Sequence, residues 1–536
     1  MKENRGKEMF KIKSPEEYIS TMREKTTLQE WRAFILTFLF GLCLYIPMIT
    51  QRLNCSDGNI CGIFYRTHND YDMEDIAGRY LLKYFAHMKS MYVFNWMAVI
   101  VGLLCIAIGC IFIARVLRIQ STLGVLLTGL FFMVSPCFTE TFTFYFCADA
   151  YVMCFPLVTG AVYLLHEKQT LWRAALATFL MFVSMAFYQA YIFIAVVLFL
   201  FVLVKDLLEN DKSWKMIGRS LLYQILSGIA AFVLYIAVNK LLKAIGLIYY
   251  QESRFNFAEL LKPSVLVSRI GQAYQNFVTY YFRMGIINNV WKWRYIANAV
   301  VLIVGVLLIV LIVCRKKLSF SKIVGVLVTL CVLPIAFMGI GLLYGVNIMI
   351  LPTASLFYVG TLALWENERT KEKQNYRSIC GWMFYAATAW LIFVMSTYIC
   401  IHQTCMKYYA DKTDSMAQRI ITRIEDAYPD ADSGTPVFIC GDVDDANYPQ
   451  DYNIEQASYI LTGTQACMGM FIDNMQGYFA GWNKYMAANF GVEYPMVWEK
   501  AWEIYDSDFY KEMPIFPNEG CVSKNEEGII IVKLKE

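Results

Sequence analysis

Four carboxylates stand close together in one polar stretch of the chain, and an arginine follows them. Asp70, Asp72, Glu74 and Asp75 lie within six residues, and Arg79 comes four positions after Asp75. If the stretch becomes helical at Asp72, Asp75 and Arg79 share one helix face, and the helix dipole keeps the carboxylates ionised. An ionised, positioned carboxylate can act as a general base. We expect Asp75 to be that base, Glu74 to be the second candidate and Arg79 to support them; a solvated acidic loop is the alternative.

Polar side chains also interrupt apolar sequence at two later points. Glu140 and Asp149 are lone carboxylates between apolar stretches, where ionisable groups are costly and tend to be functional. Asp149 could instead cap the start of a helix. Tyr188 and Gln189 offer a hydroxyl and an amide of the kind that bind sugars, whereas Tyr191 fits an interfacial aromatic belt. We predict substrate contacts from Glu140, Asp149, Tyr188 and Gln189, in addition to Asp70 and Asp72.

A third set of candidates is cationic. Arg254, Arg269 and Arg283 fall in one segment between apolar runs, and arginine binds phosphate with two parallel hydrogen bonds. We expect Arg254 and Arg283 to contact a phosphate-bearing substrate; snorkelling to an interface is the alternative for each. The cysteines and four histidines show no zinc-ligand spacing, so we predict no metal site, although a requirement for a divalent cation stays open.

The amino-acid composition indicates the environment in which these residues lie. Of 536 residues, 58% are hydrophobic and only 17% are charged, against about a quarter charged in soluble domains. This excludes an ordinary soluble enzyme, and the 16% aromatic content excludes a disordered chain. A net charge of +3 does not indicate the concentrated basic surface that binds nucleic acid. We predict a helical polytopic membrane protein.

Apolar runs long enough to span a bilayer number about eleven. They lie near 33–50, 93–114, 121–138, 150–165, 173–187, 189–204, 221–244, 295–313, 322–341, 349–365 and 379–402. Lys and Arg cluster in alternate connections, which places those connections and the N-terminus in the cytoplasm.

This topology divides the chain into a cytoplasmic N-terminal part, a multispan domain with two large outer loops, and an outer tail. Residues 1–32 form a cytoplasmic amphipathic helix, and residues 33–402 form the multispan domain with large outer loops at 51–92 and 245–294. Cys55 and Cys61 share the first of these loops, either bridged or free. The tail, 403–536, alternates helical and strand-like sequence, which predicts an extracytoplasmic α/β domain, with a parallel sheet as one arrangement.

Several of these motifs resemble one known family. The stretch Glu74-Asp75-Ile76-Ala77-Gly78-Arg79, the stretch Ser135 to Glu140 with Asp149 downstream, and the turn Tyr188-Gln189-Ala190-Tyr191 are similar to motifs of bacterial serotype-converting membrane glucosyltransferases, the Gtr type II group. The end of the tail, Met513 to Pro517 followed by Gly520, is similar as well. Two features depart from the pattern: Asp70 and Asp72 add carboxylates, and Cys147-Ala148 precedes Asp149.

The resemblance implies a GT-C-class enzyme of the plasma (inner) membrane. The donor would be a polyprenyl-phosphate-linked sugar, glucose on undecaprenyl phosphate, and the acceptor a cell-surface polysaccharide such as O-antigen at the outer face. No cofactor follows from it. The alternatives are a polysaccharide polymerase or ligase, which could use the same layout, and a lipid-linked-sugar flippase. A transporter should carry ionisable residues near the midplane and internal repeats, which the sequence does not show.

Overall fold

The structure is a computed structural model of the chain. It describes residues 26–55, 58, 77–167, 169–248, 262–283, 293–342, 348–369, 376–441, 481–497 and 499–534. Asp70, Asp72, Glu74, Asp75 and Arg254 lie outside these residues, as do Cys61 and most of the predicted N-terminal helix.

Helices make up most of the described chain. Up to the end of the apolar region they are α1 Leu28–Leu44, α2 Ile46–Thr50, α3 Tyr80–Met88, α4 Asn95–Leu117, α5 Thr122–Met133, α6 Pro136–Thr141, α7 Ala148–Glu167, α8 Leu171–Phe187, α9 Ile192–Leu207, α10 Trp214–Ala244, α11 Pro263–Phe282, α12 Trp293–Lys316, α13 Phe320–Phe337, α14 Leu356–Arg369 and α15 Tyr376–Ala427. Short 3₁₀ turns occur at Gln189–Tyr191, Gly339–Leu342 and Ile348–Ile350.

Seven helical segments of the described residues are long and apolar enough to cross a membrane. They are Asn95–Leu117, Ala148–Glu167, Gln189–Leu207, Trp214–Ala244, Arg294–Lys316, Phe320–Phe337 and Trp382–Ala427. Two shorter apolar helices are Thr122–Met133 and Leu171–Phe187. Each predicted span overlaps a helix, so a helical polytopic membrane protein is supported, whereas the count of eleven crossings stays a prediction.

Local sequence sets where the first helices begin and end. Thr27 and Glu30 form a reciprocal capping box that opens α1. Pro47 lies in the first turn of α2, where its missing N–H costs nothing. The predicted span 121–138 is interrupted, because α5 ends at Met133 and Pro136 begins the separate helix α6.

Helix α7 lies at the centre of the bundle and packs against α4 and α8. Close approach to α4 requires a residue without a side chain at Gly109, since a Cβ there would lie 2.3 Å from the ring of Phe155. Most of α7 is buried. By contrast, α10 and α12 are largely exposed on apolar faces, as expected for helices that face lipid.

The two ends of the bundle differ in character. At one end, which we call the basic end, the loops after α4, α9 and α12 meet: Arg118 pairs with Glu209 at 3.2 Å, and Lys316 donates to the Leu208 carbonyl at 2.9 Å. The opposite end, the site end, gathers the start of α7, the 3₁₀ turn at Gln189–Tyr191 and the end of α10. Arg79, Glu140, Asp149, Tyr188 and Gln189 all fall at the site end.

The C-terminal part contains a three-stranded sheet built on α15. The strands β1 Val437–Cys440, β2 Val522–Lys524 and β3 Ile530–Lys533 have the order β1-β3-β2. The β1 and β3 strands are parallel, and β2 is antiparallel to β3, so the described sheet is mixed rather than parallel. Further helices are α16 Gly481–Phe490, α17 Ala501–Asp506 and α18 Asp508–Glu512.

Candidate active site

The described part of the first loop ends in a sharp turn. Gly78 has φ +74°, a left-handed conformation that glycine adopts without strain. Arg79 is the non-helical residue before α3, with φ −98° and ψ 43°. The prediction that one helix carries Asp75 and Arg79 on a shared face is therefore wrong, because the chain turns at Gly78 and the helix begins at Tyr80.

The guanidinium of Arg79 is held among tyrosines. Its Nη1 donates a hydrogen bond of 2.7 Å to the Tyr151 hydroxyl, and its central carbon lies 4.6 Å from the ring centre of Tyr188. The rings of Tyr151 and Tyr188 stack on each other at 4.1 Å. A cation over an aromatic face gains about 0.5 to 2 kcal/mol. The arrangement thus fixes a permanent positive charge four residues after Asp75.

Two side chains hold the backbone just before Arg79. Gln189 Nε2 donates to the Ala77 carbonyl at 2.8 Å and to the Tyr235 hydroxyl at 2.7 Å. The Tyr235 hydroxyl in turn donates to the Gly78 carbonyl at 3.3 Å. Gln189 therefore positions the turn that presents Arg79. Tyr235 was not predicted from the sequence, because a tyrosine in a long apolar helix gives no signal that sets it apart from a belt residue.

Helix α3 is fixed at its other end by an ion pair. Lys89, just after α3, lies 2.7 Å from Asp149 Oδ2, and both side chains are nearly buried. The Ala150 N–H donates to Asp149 Oδ1 at 2.9 Å. Both oxygens of Asp149 are thus engaged at the start of α7, where a carboxylate also meets the helix dipole. Arg79 and Lys89 together anchor α3 on α7.

The remaining predicted site residues are placed differently. Glu140 is buried in the short helix α6, at the same end of the bundle as Arg79. Arg283 is exposed and directly follows the last residue of α11. Tyr188 is buried, and its ring lies against the guanidinium of Arg79. Within the described ranges, no group of three or more His, Cys, Asp or Glu side chains could hold a metal ion.

One further cation at the site end was not found from the sequence. Arg294, near the start of α12, is 1% exposed, and its guanidinium carbon lies 4.9 Å from the ring centre of Tyr280. In the described residues, none of its three side-chain nitrogens has a hydrogen-bond partner. A position at a loop–helix boundary is typical of an interfacial cation, so the burial of Arg294 was not predictable.

The fold and this end of the bundle define a class of protein: a polytopic helical membrane protein with cations and hydroxyls held at one end of its helices. Residues 69–364 match the model of the family described as Glucosyl transferase GtrII. This match covers more than half of the chain, so the protein belongs to the GtrII glucosyl transferase family, which confirms the resemblance, and it is a membrane glycosyltransferase with a sugar donor and an acceptor. No curated protein and no solved structure matches the chain.

Proposed function

We propose that the protein transfers glucose from a polyprenyl-phosphate donor to a cell-surface polysaccharide at the outer face of the plasma membrane. In this proposal the fold is of the GT-C class and the site end of the bundle faces outward. The basic end then lies in the cytoplasm, in agreement with the sidedness that lysine and arginine follow. The C-terminal α/β unit holds the acceptor.

The reaction is a displacement at the anomeric carbon. The carboxylate of Asp75, or of Glu74, takes the proton of an acceptor hydroxyl, and the oxygen attacks the anomeric carbon of the donor sugar. The bond from that carbon to the phosphate oxygen breaks, and polyprenyl phosphate leaves with both electrons. A fixed arginine supports such a site because preorganised charge stabilises negative charge without reorganisation.

The observation that carries the proposal is the restraint placed on Arg79. A cation kept only for solubility would extend into water. Instead Tyr151 and Tyr188 hold its guanidinium, while Gln189 and Tyr235 hold the turn before it. Four side chains from three separate elements thus fix one charge that is next in sequence to the carboxylate stretch. This is the arrangement expected where a charge must keep a set position.

The test is transfer in vitro from undecaprenyl-phosphate-glucose by purified variants. Proton removal by a positioned carboxylate contributes about 10²- to 10⁴-fold, so Asp75→Asn should lose most activity at unchanged expression. Asp70→Asn and Asp72→Asn should be milder, and Glu74→Gln decides which carboxylate is the base.

Two results would contradict the proposal in different ways. If Asp70→Asn or Asp72→Asn is inactive while Asp75→Asn and Glu74→Gln are normal, the assignment of the base is wrong. If all four variants are fully active, carboxylate catalysis in this loop is excluded. Glu167→Gln is the matched carboxylate control, because Glu167 pairs with Arg173 at 2.6 Å at the basic end.

A further inference from the structure

Arg294 carries a charge that nothing in the described structure neutralises. Its neighbours are aromatic: Tyr280 lies beneath the guanidinium, and Tyr295, Tyr358 and Tyr398 interact with it electrostatically. Tyr280 and Tyr358 come close without reaching hydrogen-bond geometry, and the Tyr358 hydroxyl donates to Asn298 instead, at 2.9 Å. Among the described residues, no carboxylate pairs with Arg294.

An arginine in this state is energetically costly. Arginine does not lose its proton in proteins, so it cannot become neutral as a buried lysine can. Removing an ion from water costs several kcal/mol even after relaxation, unless a counter-charge and hydrogen bonds compensate. Lys89 and Arg115 show the usual solution, since each pairs with a carboxylate at 2.7 Å. Arg294 therefore requires an anion from outside the described chain.

An apolar cavity lies next to the Arg294 surroundings. It has a volume of about 280 Å³ and runs between α9, α12, α13 and α14. Phe277 and Phe357 line it. Phe357 directly precedes Tyr358 and stands 4.5 Å from the ring of Tyr281, which itself adjoins Tyr280. The cavity therefore begins where the tyrosines around Arg294 end.

The other end of the cavity also carries a cation. Lys205 lines the cavity at the basic end, and its amino group has no hydrogen-bond partner in the described residues. However, a buried lysine can lose its proton whereas an arginine cannot, and the carboxylates of Asp206 and Glu209 stand with Arg118 and Lys212 among the charges around Lys205. Arg294 has no such compensation. The charges thus favour the Arg294 end as the place for an anionic head group.

We propose that Arg294 binds the phosphate of a polyprenyl-phosphate lipid and that the isoprenoid chain of this lipid occupies the cavity along α12. A guanidinium binds two phosphate oxygens at once, and the apolar walls suit a hydrocarbon chain. The identity of the lipid rests on the proposed function.

The Arg294 site and the Arg79 site are neighbours at the site end. Helix α6 lies between the two sites: the Phe138 ring is 6.3 Å from that of Tyr191, next to Tyr188 on Arg79, and the thiol of Cys137 donates to the Met349 carbonyl at 3.1 Å. Met349 belongs to the segment whose Ala354 carbonyl accepts a hydrogen bond of 2.8 Å from Tyr281, next to Tyr280 on Arg294. A donor whose phosphate lies at Arg294 would therefore present its sugar on the side where Arg79 and the carboxylate stretch lie. Arg294 is the anchor of the donor, and Arg79 belongs to the reacting centre.

The first test is lipid binding by the purified full-length protein, measured by native mass spectrometry without any sugar or transfer step. Arg294→Gln should weaken binding of undecaprenyl phosphate by about 10- to 100-fold, as expected for losing charge-assisted hydrogen bonds. Arg294→Lys should lie between Gln and wild type, because it keeps the charge but loses the planar fork. Arg219→Gln, which removes an exposed arginine of α10, should bind as wild type.

Two probes that each lack one part of the lipid, undecaprenol and inorganic phosphate, show whether the site binds a lipid phosphate or free phosphate. Binding of undecaprenol should be equal in wild type and Arg294→Gln. Inorganic phosphate should compete weakly; if it binds as tightly as the lipid, the site takes free phosphate and the lipid assignment is overturned. Ala363→Phe, which adds a ring at a cavity wall, should weaken binding of undecaprenyl phosphate but not of geranyl phosphate.

Thermal unfolding provides a second test, in which the loss of Arg294 should stabilise the lipid-free protein although it weakens lipid binding. In lipid-free detergent, Arg294→Met should raise the melting temperature, because it removes an uncompensated buried charge. Undecaprenyl phosphate should raise the melting temperature of wild type and leave that of Arg294→Met unchanged. A lower melting temperature for Arg294→Met, or unchanged lipid binding by Arg294→Gln, overturns the inference. Because no transfer is measured, it can fail or hold independently of the proposed reaction.

Discussion

The side chain of Gln189 should govern turnover through the turn that it holds before Arg79. Gln189→Leu keeps a similar volume and removes two hydrogen bonds, of 2.8 Å to the Ala77 carbonyl and 2.7 Å to the Tyr235 hydroxyl. Each is worth about 1 kcal/mol net, so the turn before Arg79 loses about 2 kcal/mol. If all of that loss falls on the transition state, the rate falls about 30-fold.

The assay is steady-state transfer from undecaprenyl-phosphate-glucose, with kcat and KM determined separately. A positioning role predicts a fall in kcat with little change in KM. Tyr235→Phe should cause a smaller fall, since the Gly78 carbonyl accepts a longer bond, of 3.3 Å, from that hydroxyl. The double variant should lose less than the sum, because Gln189 and Tyr235 share one bond. Normal kcat in Gln189→Leu, or full additivity in the double variant, would refute the reasoning.

Three further predictions concern the elements around this site. Arg79→Lys keeps the charge but loses the planar fork, so transfer should fall about tenfold or more at unchanged melting temperature; wild-type activity would make Arg79 a surface cation. Asp149→Asn leaves Lys89 nearly buried without its partner, which should cost about 3 kcal/mol in unfolding experiments, whereas Lys89→Met combined with Asp149→Leu should recover part of the loss. An impermeant maleimide added to intact cells should label Asp414→Cys and not Lys371→Cys; the reverse pattern would overturn the proposed orientation.

Much of the helical architecture was predictable because lipid imposes a simple rule. Runs of about twenty apolar residues must become helices, and each predicted span overlaps one. Breaks were harder to place. The interruption at Val134 and Ser135 is placed by Pro136, which begins the next helix, whereas the apolar residues on either side continue without a change of pattern.

The site was predictable in its residue types more than in its geometry. Asp149 and Gln189 were selected as polar residues in apolar surroundings and Arg79 by its spacing from Asp75, and all three lie at one end of the bundle. Their partners were not predictable, because Lys89 and Tyr235 are distant in sequence and ordinary in type. Arg294 shows the limit most clearly: an arginine before an apolar helix usually snorkels to the interface, and only the packing of α11, α14 and α15 buries it.

Helix α15 connects the proposed donor anchor to the unit proposed to hold the acceptor. Tyr398 of α15 interacts with Arg294, and Gln403, just beyond it, donates to the Leu44 carbonyl of α1 at 3.2 Å. Without a break, the same helix then supplies Ile420 and Ile424 to the core that includes β1 and β3. The backbone hydrogen bonds inside a helix restrict its dihedral angles. A helix that is packed at both ends therefore keeps its two ends in a fixed position relative to each other. An acceptor held on the C-terminal unit would therefore be positioned relative to Arg294 by α15 itself rather than by a flexible linker.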